Sequence, residues 1–333
     1  MKSAIQFTLA ALIIASCTNV PDAYLIKIAG PAQGTTYHIS YVSPTDSLDL
    51  RTSIDSILFV IDQSMSLWNE KSTICRLNRG DSIAVDSHFL AVLDAALAVS
   101  KQSEGAFDVT LAPLISAWGF GTTERLKLDS AKVDSLRSLT GYQKVKVVGK
   151  YVQLPKYMQL DFNAIAQGYS VDVLAEFIAS KGIKNYLVEV GGEVRACGKN
   201  IAGKTWSIGV DKPEENLTVA DQFQVIVALD SASLATSGNY RKFWVDEETG
   251  VKYAHTIDPK TGYPVKSRLL SASIIAADCM TADAWATACM VVGLEIAKEF
   301  ISDNPQLEGY LVYSDLEGKM QVWQSDGFAK MVL

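Results

Sequence analysis

The stretch YLVYSDLEGKMQVWQ, residues 310–324, sets the direction of the reading. Tyr310–Ser314 and Met320–Gln324 carry aromatic and β-branched residues, and Asp315–Gly318 supplies turn chemistry between them. The segment therefore reads as an antiparallel hairpin. Working outward, Leu270–Ala276, Trp206–Val210 and Phe223–Leu229 are strand-like. So are Tyr240–Val245 and Val251–Ile257, joined by a turn at Glu247–Gly250. Tyr186–Val190 runs into Gly191-Gly192, and Tyr24–Ala29 and Thr35–Val42 open the ordered chain. Helical spacing appears elsewhere. Ile54, Ile57, Leu58, Ile61, Met65 and Trp68 recur at three and four. Phe89, Val92, Leu93, Ala96 and Ser100 do the same, with Asp86 or Ser87 as N-cap. Val171, Leu174 and Ile178 mark a third helix closed by Gly182, and two more start near Thr281 and Leu294. Strands and helices mix without a regular βαβ rhythm. The fold class expected is α+β, with largely antiparallel sheets and packed helices.

Of 333 residues, 48% are hydrophobic and 20% charged, which excludes a disordered chain. At roughly 150 residues per domain the length allows one large unit or two. No repeat or linker interrupts residues 24–333, so they read as one unit. A net charge of −7 argues against a nucleic-acid partner, because phosphate binding needs a cationic surface.

The N-terminus reads as a targeting segment. Lys2 precedes an apolar run, Phe7–Ala15, too short for the ~20 residues that span a bilayer. Ile14-Ala15-Ser16-Cys17 resembles a bacterial lipobox. The expectation is removal of residues 1–16, lipidation of Cys17, and a short tether over residues 17–23. An ordinary signal peptide cut near Ser16 is the alternative. The remaining thiols, Cys75, Cys197, Cys279 and Cys289, form neither a CxxC nor a zinc spacing. Cys289 reads as a buried thiol on a helix.

Gly198–Thr205 matches the phosphate-loop pattern G-x-x-x-x-G-K-[ST]. That loop needs a helix directly after it, to aim backbone N–H groups at phosphates. Here Trp206–Val210 alternates like a strand and Pro213 follows, so the match is rejected in favour of a turn.

Four blocks carry candidate chemistry. Asp283 and Thr287 lie four apart on an apolar helix, hence on one face. An ionised Asp there is costly unless paired or metal-bound, and carboxylate plus hydroxyl suits Mg²⁺ better than zinc. The alternative is an acid in the first turn favouring the helix dipole. Leu160–Tyr169, with Asp161 and Gln167, opens a helix and reads either as a close ligand approach or as an Asp-capped turn. Tyr253–Gly262 holds His255, the best-placed group for proton transfer or a structural strand histidine. Gly105–Thr110, followed by Trp118–Gly121, suits a flat ring or a core loop.

Together these blocks resemble the FAD:protein FMN transferases, the ApbE family. The matching pieces are Gly34–Tyr37, Gly105–Thr110 with Trp118-Gly119, Leu160–Tyr169, Gly191–Glu193, Ser237–Arg241, His255–Gly262 and Met280–Thr287. The resemblance implies an α+β, T-fold-related architecture with FAD in a central crevice and Mg²⁺ at its pyrophosphate. It implies cleavage of FAD to AMP and attachment of FMN, by a phosphoester, to a Thr or Ser of an acceptor flavoprotein. Asp283, Thr287 and the carbonyl of Ala164 match the metal ligands. Gln33, Trp68, Ala106, Phe107, Asp108, Asp161, Gln167 and Ile257 match FAD contacts, with Trp68 against the isoalloxazine ring. His255 and Asp283 are the catalytic candidates. The lipobox fits an exported lipoprotein of the inner membrane facing the periplasm. The chain departs from the pattern at Gln33, where the family more often has Met, and at Gln167, where Lys is common. Glu193 replaces the commoner Asp, and Asn163 and Trp68 are also unusual. Two rival readings share the same residues: a Mg²⁺-dependent FAD pyrophosphatase and a non-catalytic flavin binder.

Overall fold

The structure is a computed structural model that describes residues 23–213, 223–239, 243–245 and 252–333. The lipobox with Cys17, the Glu247–Gly250 turn, and Tyr240 and Arg241 lie outside the described residues.

Strands β1 (Tyr24–Ala32) and β2 (Thr35–Ser43) form the first hairpin. Helices α1 (Arg51–Met65), α2 (Thr73–Asn78), α3 (Ser87–Gln102), α4 (Ala112–Ala117) and α5 (Ser130–Ser138) follow. A small hairpin, β3 (Lys146–Val148) and β4 (Tyr151–Gln153), leads to α6 (Ala166–Ser180). Next come β5 (Tyr186–Val190), β6 (Glu193–Cys197), β7 (Trp206–Asp211), β8 (Phe223–Leu229) and β9 (Ala232–Gly238). Then come β10 (Phe243–Val245), β11 (Lys252–Ala254) and β12 (Leu269–Ala276). The chain closes with α7 (Cys279–Val292), α8 (Leu294–Asp303), β13 (Glu308–Ser314), β14 (Met320–Gln324) and α9 (Asp326–Ala329).

One eight-stranded sheet runs β1-β2-β5-β6-β9-β12-β13-β14, and every neighbouring pair in it is antiparallel. Three two-stranded pieces, β3-β4, β7-β8 and β10-β11, lie outside it. The α+β expectation therefore holds. The 310–324 segment is the predicted hairpin, with Tyr310 opposite Gln324 and Ser314 opposite Met320. Two-residue turns join β1 to β2 at Gln33-Gly34 (φ +50° and +76°) and β5 to β6 at Gly191-Gly192 (φ +69° and +113°). Positive φ at both central residues matches the right-handed twist of the flanking strands.

Helix α7 is the centre of the core. It packs on β9 and β12 and touches α3, α6 and α8. Ala282, Ala284, Trp285, Ala286, Ala288, Cys289 and Met290 are all buried. A helix covered on every side shows no amphipathic stripe, so α7 reads as apolar all round. Cys289 is buried as expected, and Cys75, Cys197, Cys279 and Cys289 are free thiols. No helix among the described residues is long and apolar enough to cross a membrane.

Three sequence readings need correction, and one is borne out. Helix α1 ends at Met65, where Ser66 turns extended, so Trp68 lies in the loop beyond rather than on the helix face. Strand β11 stops at Ala254, and His255 sits just past it. Ile257 pairs only through an isolated bridge to Pro264. Strands β6 and β9 were not anticipated. β9 reads ASLATSG, small residues that buried positions accept but strand propensity does not flag. Gly198–Thr205 is a turn closed by a Lys199–Thr205 bridge and followed directly by β7, as the rejection of a phosphate loop required.

Candidate functional site

A cavity of about 1380 Å³ opens between α1, the α3–α4 loop, the start of α6, the β5–β6 turn, β7, β9 and α7. All twelve residues singled out from sequence line it: Gln33, Trp68, Ala106, Phe107, Asp108, Asp161, Ala164, Gln167, His255, Ile257, Asp283 and Thr287. They span 254 positions in sequence, and the sheet topology is what gathers them.

Asp283 and Thr287 project from α7. Asp283 is the fifth residue of the helix, past the first turn, and Asp278 is the acid that caps the helix by accepting from the Thr281 N–H at 2.8 Å. That excludes a dipole role for Asp283. Asp283 is 6% exposed and accepts from the Gly168 N–H at 3.1 Å. Burial pushes its carboxyl up to about 7, opposed by the Gly168 N–H and reinforced by the negative charge of Asp172. A carboxylate so placed gains from a nearby cation. One turn on, the Thr287 hydroxyl meets the Ser237 hydroxyl of β9 at 3.1 Å.

Ala164 and Gln167 bracket the start of α6, whose first turn has no side-chain cap. An uncapped helix start on a cavity favours an anionic ligand. Gly191 makes room for Gln167, since a Cβ there would fall 2.5 Å from the Gln167 amide nitrogen. The Gln33 Nε2 donates to Ser170 at 2.6 Å, and its buried Oε1 has no hydrogen-bond partner among the described residues. That oxygen is an acceptor left over for a ligand.

Asp161 is buried, accepts from the Asn163 N–H at 2.7 Å, and its own N–H reaches the Val109 carbonyl at 2.8 Å. Asp108 accepts from the Thr110 N–H (2.8 Å), the Thr110 hydroxyl (2.6 Å) and the Tyr142 N–H (3.0 Å). Burial raises its pKa and these bonds pull it back down. Such bonds fix the Gly105–Thr110 loop as a rigid wall. Trp68, 68% exposed, stands on the rim as a bare aromatic face. His255 lies beside Phe120, edge to face at 6.3 Å.

The oxygen set of Asp283, Thr287 and the Ala164 carbonyl suits a hard divalent cation. Among the described residues no cluster of three or more His, Cys, Asp or Glu side chains is arranged for a metal. Sequence reasoning missed the second wall of the cavity, where β7 contributes Ser207–Asp211 and the β10 strand contributes Trp244. It also gave no role to Ser237, although the Ser237–Arg241 block had been noticed. Apart from Asp211 those positions carry no titratable group, and alternation alone marked β7.

A family model described as the ApbE family matches residues 33–311. The FAD:protein FMN transferase of Vibrio cholerae is 36% identical over 296 residues, covering 85% of this chain and 86% of that one. The Haemophilus influenzae protein of the same name is 34% identical over 321 residues, covering 91% and 90%. The solved structure of the flavin transferase ApbE from Vibrio cholerae superposes with a TM-score of 0.83 at 33% identity, over 93% of this chain and 99% of that one. The apo flavinyl transferase ApbE of Pseudomonas stutzeri gives 0.82 at 29% identity, over 93% and 97%. Fold and cavity define an α+β protein built around one large ligand crevice. This chain belongs to the ApbE family.

Proposed function

We propose that this protein is a Mg²⁺-dependent FAD:protein FMN transferase. A hydroxyl oxygen of a Thr or Ser in an acceptor flavoprotein attacks the FMN phosphorus, the P–O bond to the AMP phosphate breaks, and AMP leaves. The hydroxyl proton passes to a base. The observation that carries this reading is the convergence of all twelve residues on one cavity, with the oxygen donors on α7 at its wall. Relatives over most of the chain bear the same activity in their names.

Phosphoryl transfer is mainly positioning plus neutralisation of phosphate charge. Asp283, Thr287 and the Ala164 carbonyl would hold Mg²⁺, which supplies that neutralisation when bound. Gln167 and the uncapped start of α6 face the diphosphate as neutral donors. The usual lysine is missing, which throws more of the charge balance onto the metal. Trp68 offers its ring to the isoalloxazine, and Asp108 and Asp161 anchor the polar edge of the dinucleotide. His255 is the base for the acceptor hydroxyl. Lipidation at Cys17 would tether the enzyme to the inner membrane facing the periplasm, where an exported acceptor is met.

The test follows AMP. The protein is incubated with FAD and Mg²⁺, with and without an acceptor flavoprotein fragment bearing one candidate threonine. AMP release that requires both the acceptor and Mg²⁺ supports transfer. Equal AMP release without acceptor overturns it in favour of a pyrophosphatase, and FAD bound but never cleaved makes the protein a carrier.

A further inference from the structure

The two groups of oxygen donors sit on different elements, and something must hold them in register. Ala164 precedes α6, and Asp283 and Thr287 belong to α7. One link is direct: Gly168 of α6 donates its N–H to Asp283, at 3.1 Å. The helices meet so closely there that a Cβ on Gly168 would lie 2.5 Å from the Cys279 carbonyl oxygen.

A second link lies one turn away. Asp172 of α6 reaches across to the start of α7, where Oδ1 accepts from the Cys279 N–H at 2.9 Å and Oδ2 from the Met280 N–H at 2.8 Å. Arg195 of β6 donates from Nη1 to the same Oδ1 at 2.7 Å. Asp172 is 6% exposed. Four residues separate Gly168 from Asp172, and four separate Asp283 from Cys279, about 6 Å along each helix. The two links are thus rungs of one ladder between antiparallel helices.

We infer that Asp172 is a positioning residue for the metal site: it pins the start of α7 to α6 and so sets Asp283 and Thr287 against Ala164. The inference rests on the metal reading above. The carboxylate satisfies two helix N–H groups that α7 cannot satisfy itself. Arg195 of β6 anchors Asp172 to the sheet and does not itself line the cavity.

Binding of Mn²⁺ alone to the full chain, read by the loss of its free-ion electron paramagnetic resonance signal at pH 8, tests this without turnover. Asp172→Asn should raise the Mn²⁺ Kd at least tenfold, while FAD affinity measured without metal stays within threefold of wild type. That split separates positioning from general damage, which would weaken both together. A folded Asp172→Asn protein with Mn²⁺ affinity within twofold of wild type would overturn the inference. Should that variant not fold, Arg195→Met keeps both N–H bonds and removes the anchor. A Kd raised at least threefold supports the inference, and an unchanged Kd overturns it. Wild-type protein that binds no Mn²⁺ would remove the metal assignment itself, and this inference with it.

Discussion

At the residue scale, the site is a set of ordinary groups made useful by where they stand. Asp283 is a carboxylate in an apolar helix, held by one backbone N–H and raised to about 7 by burial. Asp283→Ala should abolish Mg²⁺-dependent FAD cleavage while leaving the circular dichroism spectrum and melting profile folded. Full activity in that variant would remove the metal assignment. Trp68 bears no packing duty at 68% exposure, so its loss should cost the fold little. Trp68→Ala should weaken FAD binding by ~1–3 kcal/mol, the worth of one stacking partner. Fluorescence titration checks this, and an unchanged Kd would take Trp68 out of the flavin site. Asp283 and His255 were legible in the sequence because each breaks a local rule, an acid in an alanine helix and a histidine beside a Pro/Gly turn, whereas Trp68 read as part of a helix face and gained its flavin role only through the family resemblance. Asp172 was not legible. It sits at helical spacing with Gly168 and looks like any surface acid until Arg195 and the start of α7 are brought to it.

At the element scale, the meeting of α6 and α7 matters most. Gly168 is there because backbone approaches backbone, and a methyl group would collide with the Cys279 carbonyl and the Asp283 Cβ. Gly168→Ala should lower stability by ~1–3 kcal/mol, as overpacking does, and weaken Mn²⁺ binding as the helices part. A melting temperature and a Mn²⁺ Kd both equal to wild type would show that the contact is loose. Elements with a strong period were readable. The hydrophobic repeat from Ile54 to Met65 gave α1, and the repeat from Phe89 to Ser100 gave α3. Strand β9 was not readable, because Ala, Ser and Thr serve a buried strand through their small size under α7. The end of α1 was misjudged because Trp68 continues the period by coincidence, after Ser66 has already left helical geometry.

At the scale of the whole molecule, the antiparallel sheet brings residues from 33 to 287 onto one cavity, which no local pattern reveals. The class of the fold was legible from hairpins and irregular alternation. The order of strands, and the β7 wall of the cavity, depend on long-range pairing and were not. The buried carboxyls also give the molecule a pH signature. Burial raises Asp172 to about 6 and raises Asp108, each against hydrogen bonds that pull it down. A carboxyl whose pKa is higher folded than unfolded binds its proton more tightly in the folded state. Its stabilising contribution is full below about pH 4 and is lost as pH rises through the folded value, here about 6 for Asp172. Metal-free protein should therefore lose melting temperature between about pH 4 and pH 6, and Asp172→Asn should flatten that slope. A slope of the opposite sign, or one unaffected by the substitution, would contradict these assignments.

The most direct test of the central claim is the intact mass of an acceptor flavoprotein fragment after incubation with the protein, FAD and Mg²⁺. The expected result is a gain of one FMN, mapped to a Thr or Ser, absent with a chelator and absent with Asp283→Ala. An acceptor of unchanged mass, in a reaction where AMP and free FMN accumulate, would contradict it.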